Sequence, residues 1–169
     1  MDALSCVLSA REILKNITPL KTDCGKYCGA ACCDCDEDGQ GGMVLFPGEE
    51  KLYEALPEGM ELSPYDAILP GMKLLVCDGV CSRDERPLSC MLFPLTPVVT
   101  ETEGKDALKV IVDPRAFSVC PLSESGVRGM DAEFVRAVRE AGKVLCKNPQ
   151  IRAYLKALNV YFERLRSWS

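Results

Sequence analysis

The chain of 169 residues contains no histidine. That absence removes Ser-His-Asp and Cys-His nucleophile pairs, HExxH zinc proteases and every imidazole general base. No apolar run reaches 18 residues, so no segment reads as a membrane span and no membrane partner is expected. Neither a G-x-G-x-x-G fingerprint nor a P-loop occurs, and Gly39-Gln40-Gly41-Gly42 lacks both the lysine and the following helix signal that a phosphate loop needs. Positive charge is in the minority: the net charge is −5 and the isoelectric point is near 4.9. That balance argues against a dedicated nucleic-acid binder, whose affinity comes largely from neutralised phosphates. Met1-Asp2-Ala3-Leu4-Ser5-Cys6 carries an acid at position 2 and no basic residue before Arg11. This is not a secretory leader pattern, and the expected location is the cytoplasm.

What the chain does have is sulfur, in 11 cysteines. The number is odd, and in reducing surroundings clustered cysteines are mostly metal ligands rather than disulfides. Five lie in one short segment, Cys24-x3-Cys28-x3-Cys32-Cys33-x-Cys35. Cys24, Cys28 and Cys32 share one face if the segment is helical, whereas Gly25 and Gly29 suit a tight loop around a metal equally well. Cys32 and Cys35 have the C-x-x-C spacing with which two thiolates bind one tetrahedral ion at about 2.3 Å. A second group is Cys77-x3-Cys81 and Cys90, and Cys120-Pro121-Leu122 supplies a third segment. With no imidazole, every soft ligand must be thiolate. That suits zinc or iron, either mononuclear or as an iron–sulfur cluster, and disfavours Cu(II), Ni(II) or a facial-triad iron site. Cys6 and Cys146 stand on predicted helices away from both groups and read as packed thiols. Asp34-x-Asp36-x-Asp38-Gly39 opens like a calcium loop, but its twelfth position is Leu45 rather than a bidentate glutamate, so a solvated acidic turn is expected.

The length suits one domain over residues 1–169, able to bury roughly 70% of its unfolded surface. Apolar spacing predicts a helix from 3 to about 15, capped by Asp2, with Ala3, Val7, Ala10 and Leu14 on one stripe. Met43–Phe46 and Lys73–Cys77 read as short strands, and Pro47-Gly48-Glu49-Glu50 is expected to start a short helix running to about Leu56. Ser82-x-x-Glu85 has capping-box spacing, for a helical turn ending before Pro87. Residues 95–99 and 107–112 predict a hairpin around Glu101-Thr102-Glu103-Gly104. Residues 131–167 read as a helical pair, with Phe134, Val138, Ala141 and Leu145 on the first stripe. Asn148-Pro149 then caps the second, whose stripe is Ile151, Leu155, Leu158, Phe162 and Leu165. The expected class is therefore α+β: one small domain with cysteine-rich metal-binding loops, short strands and a hairpin, then a C-terminal helical pair. Residues 128–169 hold nine Lys/Arg against four Asp/Glu, a net of +5 that leaves −10 on the remainder. Trp168 and Tyr154 could stack bases beside that basic surface, but solvated helix faces are the preferred reading. The sequence names no protein partner.

Cys24…Cys28-Gly29-Ala30-Ala31-Cys32-Cys33 resembles the signature of the YkgJ-type cysteine cluster proteins, the CxxCxxCC family of zinc- or iron-chelating domains. Gly41–Glu50 resembles the segment after the cluster in one branch of that family. Arg83…Arg86-Pro87-Leu88-Ser89-Cys90…Phe93-Pro94-Leu95 resembles its RPxxCxxFP motif, and Cys120-Pro121-Leu122 its last cysteine. The likeness spans roughly residues 24–122, with C-x3-C-x3-CC here where the family name implies C-x2-C-x2-CC. It implies metal chelation by cysteine without a settled activity, and the same domain occurs in the flagellin lysine N-methylase. The first-choice ligands are Cys28, Cys33, Cys90 and Cys120, with Cys24, Cys32, Cys35, Cys77 and Cys81 as additional or second-site candidates. Arg83 and Arg86 are expected to offset thiolate charge or orient ligands. No catalytic constellation is evident. A metal-dependent group-transfer or redox enzyme, methylase-like, and a thiol-redox or metal-delivery protein remain as alternatives.

Overall fold

Asp2 begins the first element of the computed structural model, which describes residues 1–33, 41–79 and 81–168. Its carboxylate accepts the Ser5 N–H at 3.0 Å, and α1 runs Ala3–Leu14. Val7, Ala10 and Leu14 are buried on the predicted stripe, and Cys6 is buried beside them as a packed thiol. A second aspartate cap, Asp23, starts the five-residue α2, Cys24–Cys28, which stops at Gly29 in the left-handed conformation. A single 3-10 turn over Ala31–Cys33 follows.

Three strands then form an antiparallel sheet: β1 (Gly42–Val44), β2 (Met60–Pro64) and β3 (Lys73–Cys77), in the order β1-β3-β2. Between β1 and β2 the expected helix is a 3-10 turn, Glu49–Tyr53. The Ser82/Glu85 capping box forms reciprocally: each backbone N–H meets the other's side-chain oxygen at 3.3 Å, around one isolated turn. Next come α3 (Leu88–Leu92) and the hairpin of β4 (Leu95–Thr102) and β5 (Lys105–Val112). Its two-residue turn is Glu103-Gly104, at φ 53° and 73°. Positive φ at both central residues is the twist-matched turn that joins antiparallel strands most directly. Three 3-10 turns, Pro114–Ser118, Pro121–Ser125 and Val127–Gly129, lead to α4 (Ala132–Leu145) and α5 (Pro149–Ser167). The class is α+β, as expected.

The principal core joins α1, α3, β4, α4 and α5 around Phe46, Leu92, Val98, Phe134, Leu145, Tyr154 and Phe162. A smaller core of Leu45, Tyr53, Met60 and Leu75 lies under the three-stranded sheet, with Cys77 and Cys81 packed against it. Two sequence expectations change here. Leu165 is exposed rather than the last residue of a buried stripe, because α5 runs past the core. Tyr154 is buried, with its ring 5.2 Å from Phe46 in an edge-on pair, so it cannot stack bases; Trp168 is 91% exposed. No helix among the described residues is long and apolar enough to cross a membrane.

Asn148 joins the two ends of the chain. Its side-chain oxygen accepts from Gln150 N–H at 3.0 Å and Ile151 N–H at 3.1 Å, and its amide donates to the Met1 carbonyl at 3.2 Å. Asn148→Ala is expected to cost about 1–2 kcal/mol, because two helix-start donors lose their partner. Urea unfolding should show a lower midpoint with unchanged slope; an unmoved midpoint would show that water replaces the cap.

Candidate metal centre

The segment from Arg83 to Cys90 is held at nearly every residue. Arg83 donates to the Lys15 carbonyl at 2.6 Å and the Ile17 carbonyl at 2.9 Å, just beyond α1. Arg11 donates from α1 to the carbonyls of Asp84 (2.7 Å) and Arg86. The Tyr53 hydroxyl donates to the Glu85 carbonyl at 2.7 Å, and Ser89 Oγ to the Val44 carbonyl at 2.6 Å. Glu49 is wholly buried and accepts from Phe46 N–H at 3.0 Å and Leu88 N–H at 2.7 Å, with Arg11 3.5 Å from the same carboxylate. Glu49 thus serves the first residue of α3 as a cap borrowed from 39 residues upstream. Pro87, in the N-cap position, has no side-chain oxygen to offer. The result fixes Arg86 on one side of Pro87 and Cys90 on the other.

These two residues face a cavity of about 250 Å³. Cys32, Cys33, Cys77, Cys81 and Cys90 line it with Arg86. The five cysteines arrive on four local elements: Cys32 and Cys33 on the 3-10 turn after α2, Cys77 at the end of β3, Cys81 in the loop beyond it, and Cys90 on α3. Close approach of that loop is possible because residue 79 is glycine. Its φ is +90°, and a Cβ there would lie 2.9 Å from the Cys33 carbonyl oxygen. The remaining walls are apolar, from Met43, Met60, Leu75, Phe93 and Val119. Arg115 also lines the cavity, but its guanidinium is engaged by Asp113 at 2.9 and 2.6 Å and stacks over Phe162 at 5.2 Å. The Arg86 guanidinium lies beside the Cys81 thiol, while its buried Nε finds no partner among the described residues. Of the two arginines flagged by sequence, then, Arg86 meets the thiols and Arg83 is a clamp on the end of α1.

A second, smaller hollow lies next to the first. It measures about 20 Å³ and is lined by Cys24, Cys28, Cys32 and Cys120, with Tyr27, Phe93, Pro94, Pro121 and Leu122 around them. Cys32 and Phe93 border both spaces. The first-choice ligand set is therefore divided: Cys33 and Cys90 face the larger cavity, Cys28 and Cys120 the smaller hollow. Cys77 and Cys81 join the former, and Cys24 joins the latter. Cys35 and the Asp34–Gly39 acidic turn lie outside the described residues. Cys146 is half-buried at the end of α4, away from both groups.

Burial pushes the thiols of Cys90, Cys81, Cys24 and Cys120 up from their ordinary value. Neighbouring acidic groups add to this: the thiols of Cys33, Cys77 and Cys81 around Cys90, and those of Cys28 and Cys120 with the Asp23 carboxylate around Cys24. Hydrogen bonding to Cys33, then burial, raises Cys32 strongly. Arg86 works in the opposite direction on Cys81 and Cys90. Thiols held protonated by low polarity and mutual repulsion ionise when a cation supplies the missing charge, so a metal bound among such thiols would displace their protons. Among the described residues, no three cysteine, aspartate or glutamate side chains are already gathered closely enough to hold one ion.

Sequence reasoning missed Glu49 and Arg11. Glu49 reads locally as an acid in a first helical turn, and only its 39-residue reach to Leu88 reveals its role. No protein-family model, curated protein or solved structure matches this chain.

Proposed function

We propose that the chain is a cytoplasmic metal-binding protein of the cysteine-cluster kind, chelating zinc or iron through the thiolates of Cys33, Cys77, Cys81 and Cys90. The observation that carries this reading is convergence: four cysteines drawn from positions 33 to 90 face one cavity, beside an arginine whose buried Nε has no partner among the described residues. The donor chemistry fits a thiophilic metal, because among the described residues no imidazole or carboxylate lines that cavity. Arg86 offsets the negative charge that several thiolates bring, the work expected of a group just outside the ligand shell. The YkgJ-type resemblance of residues 24–122 supports the same reading, and a reducing cytoplasm keeps such thiols available for metal.

The cavity is larger than a closed four-thiolate ion needs, since a single water occupies only about 10–15 Å³ of such space. Its size favours an iron–sulfur cluster, or an ion with room for a small ligand, over a sealed zinc site. A metal-dependent enzyme of group-transfer or redox type is the second reading supported by that room. Elemental analysis and a visible spectrum of protein purified without oxygen test both. At least one equivalent of iron or zinc is expected, and a brown solution selects the cluster. Less than about a tenth of an equivalent of either metal would sink the proposal, given how tightly thiolate sites hold their ions.

A further inference from the structure

A single ion leaves most of the larger cavity unfilled. The cavity holds about 250 Å³, whereas an apolar space of roughly 150 Å³ already admits benzene. We infer that the space beside one bound ion is a site for a small, uncharged aromatic molecule whose single carbonyl is held by the Arg86 guanidinium. This rests on the reading of the cavity as a thiolate metal centre. Of the two occupancies that the cavity's size allows, it selects the ion over the cluster.

The walls call for an apolar body. Met60, Leu75 and Pro87 are buried and form the floor. Val119 is 40% exposed and Gly42 also faces solvent, so these two lining residues mark the mouth. Met43 and Phe93, both half-buried, complete the apolar lining. Such a pocket, mostly apolar with a few placed polar groups, is the usual form of a small-molecule site. Thioethers adapt to irregular shapes and favour aromatic rings, so two methionines and a phenylalanine suit an aryl group.

Arg86 supplies the polar contact. Arg115, the other arginine of the lining, has its charge answered by Asp113 at 2.6 Å. Arg86 forms no ion pair with any carboxylate of the described residues. The same comparison sets the charge of the occupant. Four thiolates around a divalent ion leave two negative charges, and Arg86 answers one of them. A carboxylate entering that space meets a surplus of its own sign in surroundings of low polarity. A carbonyl oxygen accepts from the guanidinium without adding charge, and a charged donor strengthens that hydrogen bond. A hydrocarbon of the same shape fills the walls but leaves the guanidinium unanswered.

The test titrates acetophenone, benzoate and ethylbenzene calorimetrically into the full chain purified without oxygen, with metal counted on the same sample. Acetophenone should bind once per chain, with benzoate and ethylbenzene each at least about tenfold weaker. Val119→Phe narrows the mouth at a partly exposed position. It should weaken acetophenone by about tenfold while metal content and far-UV circular dichroism stay unchanged. Arg86→Met should erase the preference for acetophenone over ethylbenzene. Benzoate binding as tightly as acetophenone to metal-loaded protein would overturn the inference and leave the metal reading standing. So would silence from all three probes, or equal acetophenone binding by wild type and a folded Val119→Phe chain. Protein that carries no metal yet keeps these preferences sinks the metal reading and upholds the ligand site. An iron–sulfur protein that takes no probe sinks the ligand site alone. The wild-type probe series decides the matter even if neither variant folds.

Discussion

Glu49→Ala is expected to lower folding stability by about 3–5 kcal/mol, the usual range for removing one partner from a buried charge network. The carboxylate is wholly buried and answers three donors at once: Phe46 N–H, Leu88 N–H and Arg11. Alanine leaves both amides unpaired in a dry site and Arg11 without its counter-charge. Glu49→Gln should cost less, about 1–3 kcal/mol, because the amide keeps one acceptor and presents a donor to the other N–H. The two variants separate the charge from the hydrogen bonds. Burial raises the Glu49 carboxyl above its ordinary value of 4.5, with the two amides and Arg11 opposing that rise. For a group raised in the folded state, stability is fullest below the unfolded pKa and declines as pH rises through the folded one. Wild-type stability measured against Glu49→Gln should therefore fall as pH climbs from about 4.5, then level off. A difference that grows over that span would show that the paired carboxylate is favoured instead. Because Leu88 N–H opens α3, the Ala variant should also loosen Cys90 and weaken metal retention. Normal metal content in a folded Glu49→Ala chain would show that α3 holds its place without the borrowed cap.

The elements that sequence predicts well are those whose signals are local. Asp2 and Asn148 each cap a helix through their own side chain, and the apolar stripes of α1 and α4 follow directly from 3.6-residue spacing. The hairpin is legible for the same reason, since Glu103-Gly104 and its flanking β-branched residues are adjacent in the chain. β2 escaped notice although Met60-Glu61-Leu62-Ser63 alternates, because the run is short and ends at Pro64. The Tyr154 ring suggests base stacking, but its position decides otherwise: three residues after Ile151, it falls on the buried face. The candidate site is legible as chemistry but not as geometry. Spacing points to thiolate ligands, yet nothing in Cys32-Cys33 shows that Cys33 lines the larger cavity while Cys32 borders both spaces. That division depends on Gly79 admitting a loop against Cys33, and on a hairpin that brings Cys120 back beside α2.

Chelation of the metal-loaded protein is expected to loosen one part of the molecule and leave the rest folded. Structural thiolate zinc contributes on the order of 10–16 kcal/mol of apparent binding energy, as much as the roughly 5–15 kcal/mol stability of a whole domain. If that energy were shared by the entire chain, stripping the metal would unfold everything. The packing indicates otherwise. The principal core of α1, α3, the hairpin, α4 and α5 is built from apolar side chains, and α5 packs on β4. The cysteine-bearing part rests on a core of only Leu45, Tyr53, Met60 and Leu75 beneath the β1-β3-β2 sheet. Four side chains at about 1.5–3 kcal/mol each scarcely offset the ordering of the loops around them, at about 1–2 kcal/mol per residue. Hydrogen exchange after chelation should therefore show fast amides in residues 24–33 and in β2 and β3, with slow exchange retained in α4 and α5. Exposure of α4 and α5 as well would mean that the metal holds the whole fold, and an unchanged exchange map would argue against any bound centre. Cys90 is the informative position between these limits. It belongs to α3, which the principal core and Glu49 hold, yet faces the cavity. Its neighbours should stay protected while the sulfurs opposite it drift away.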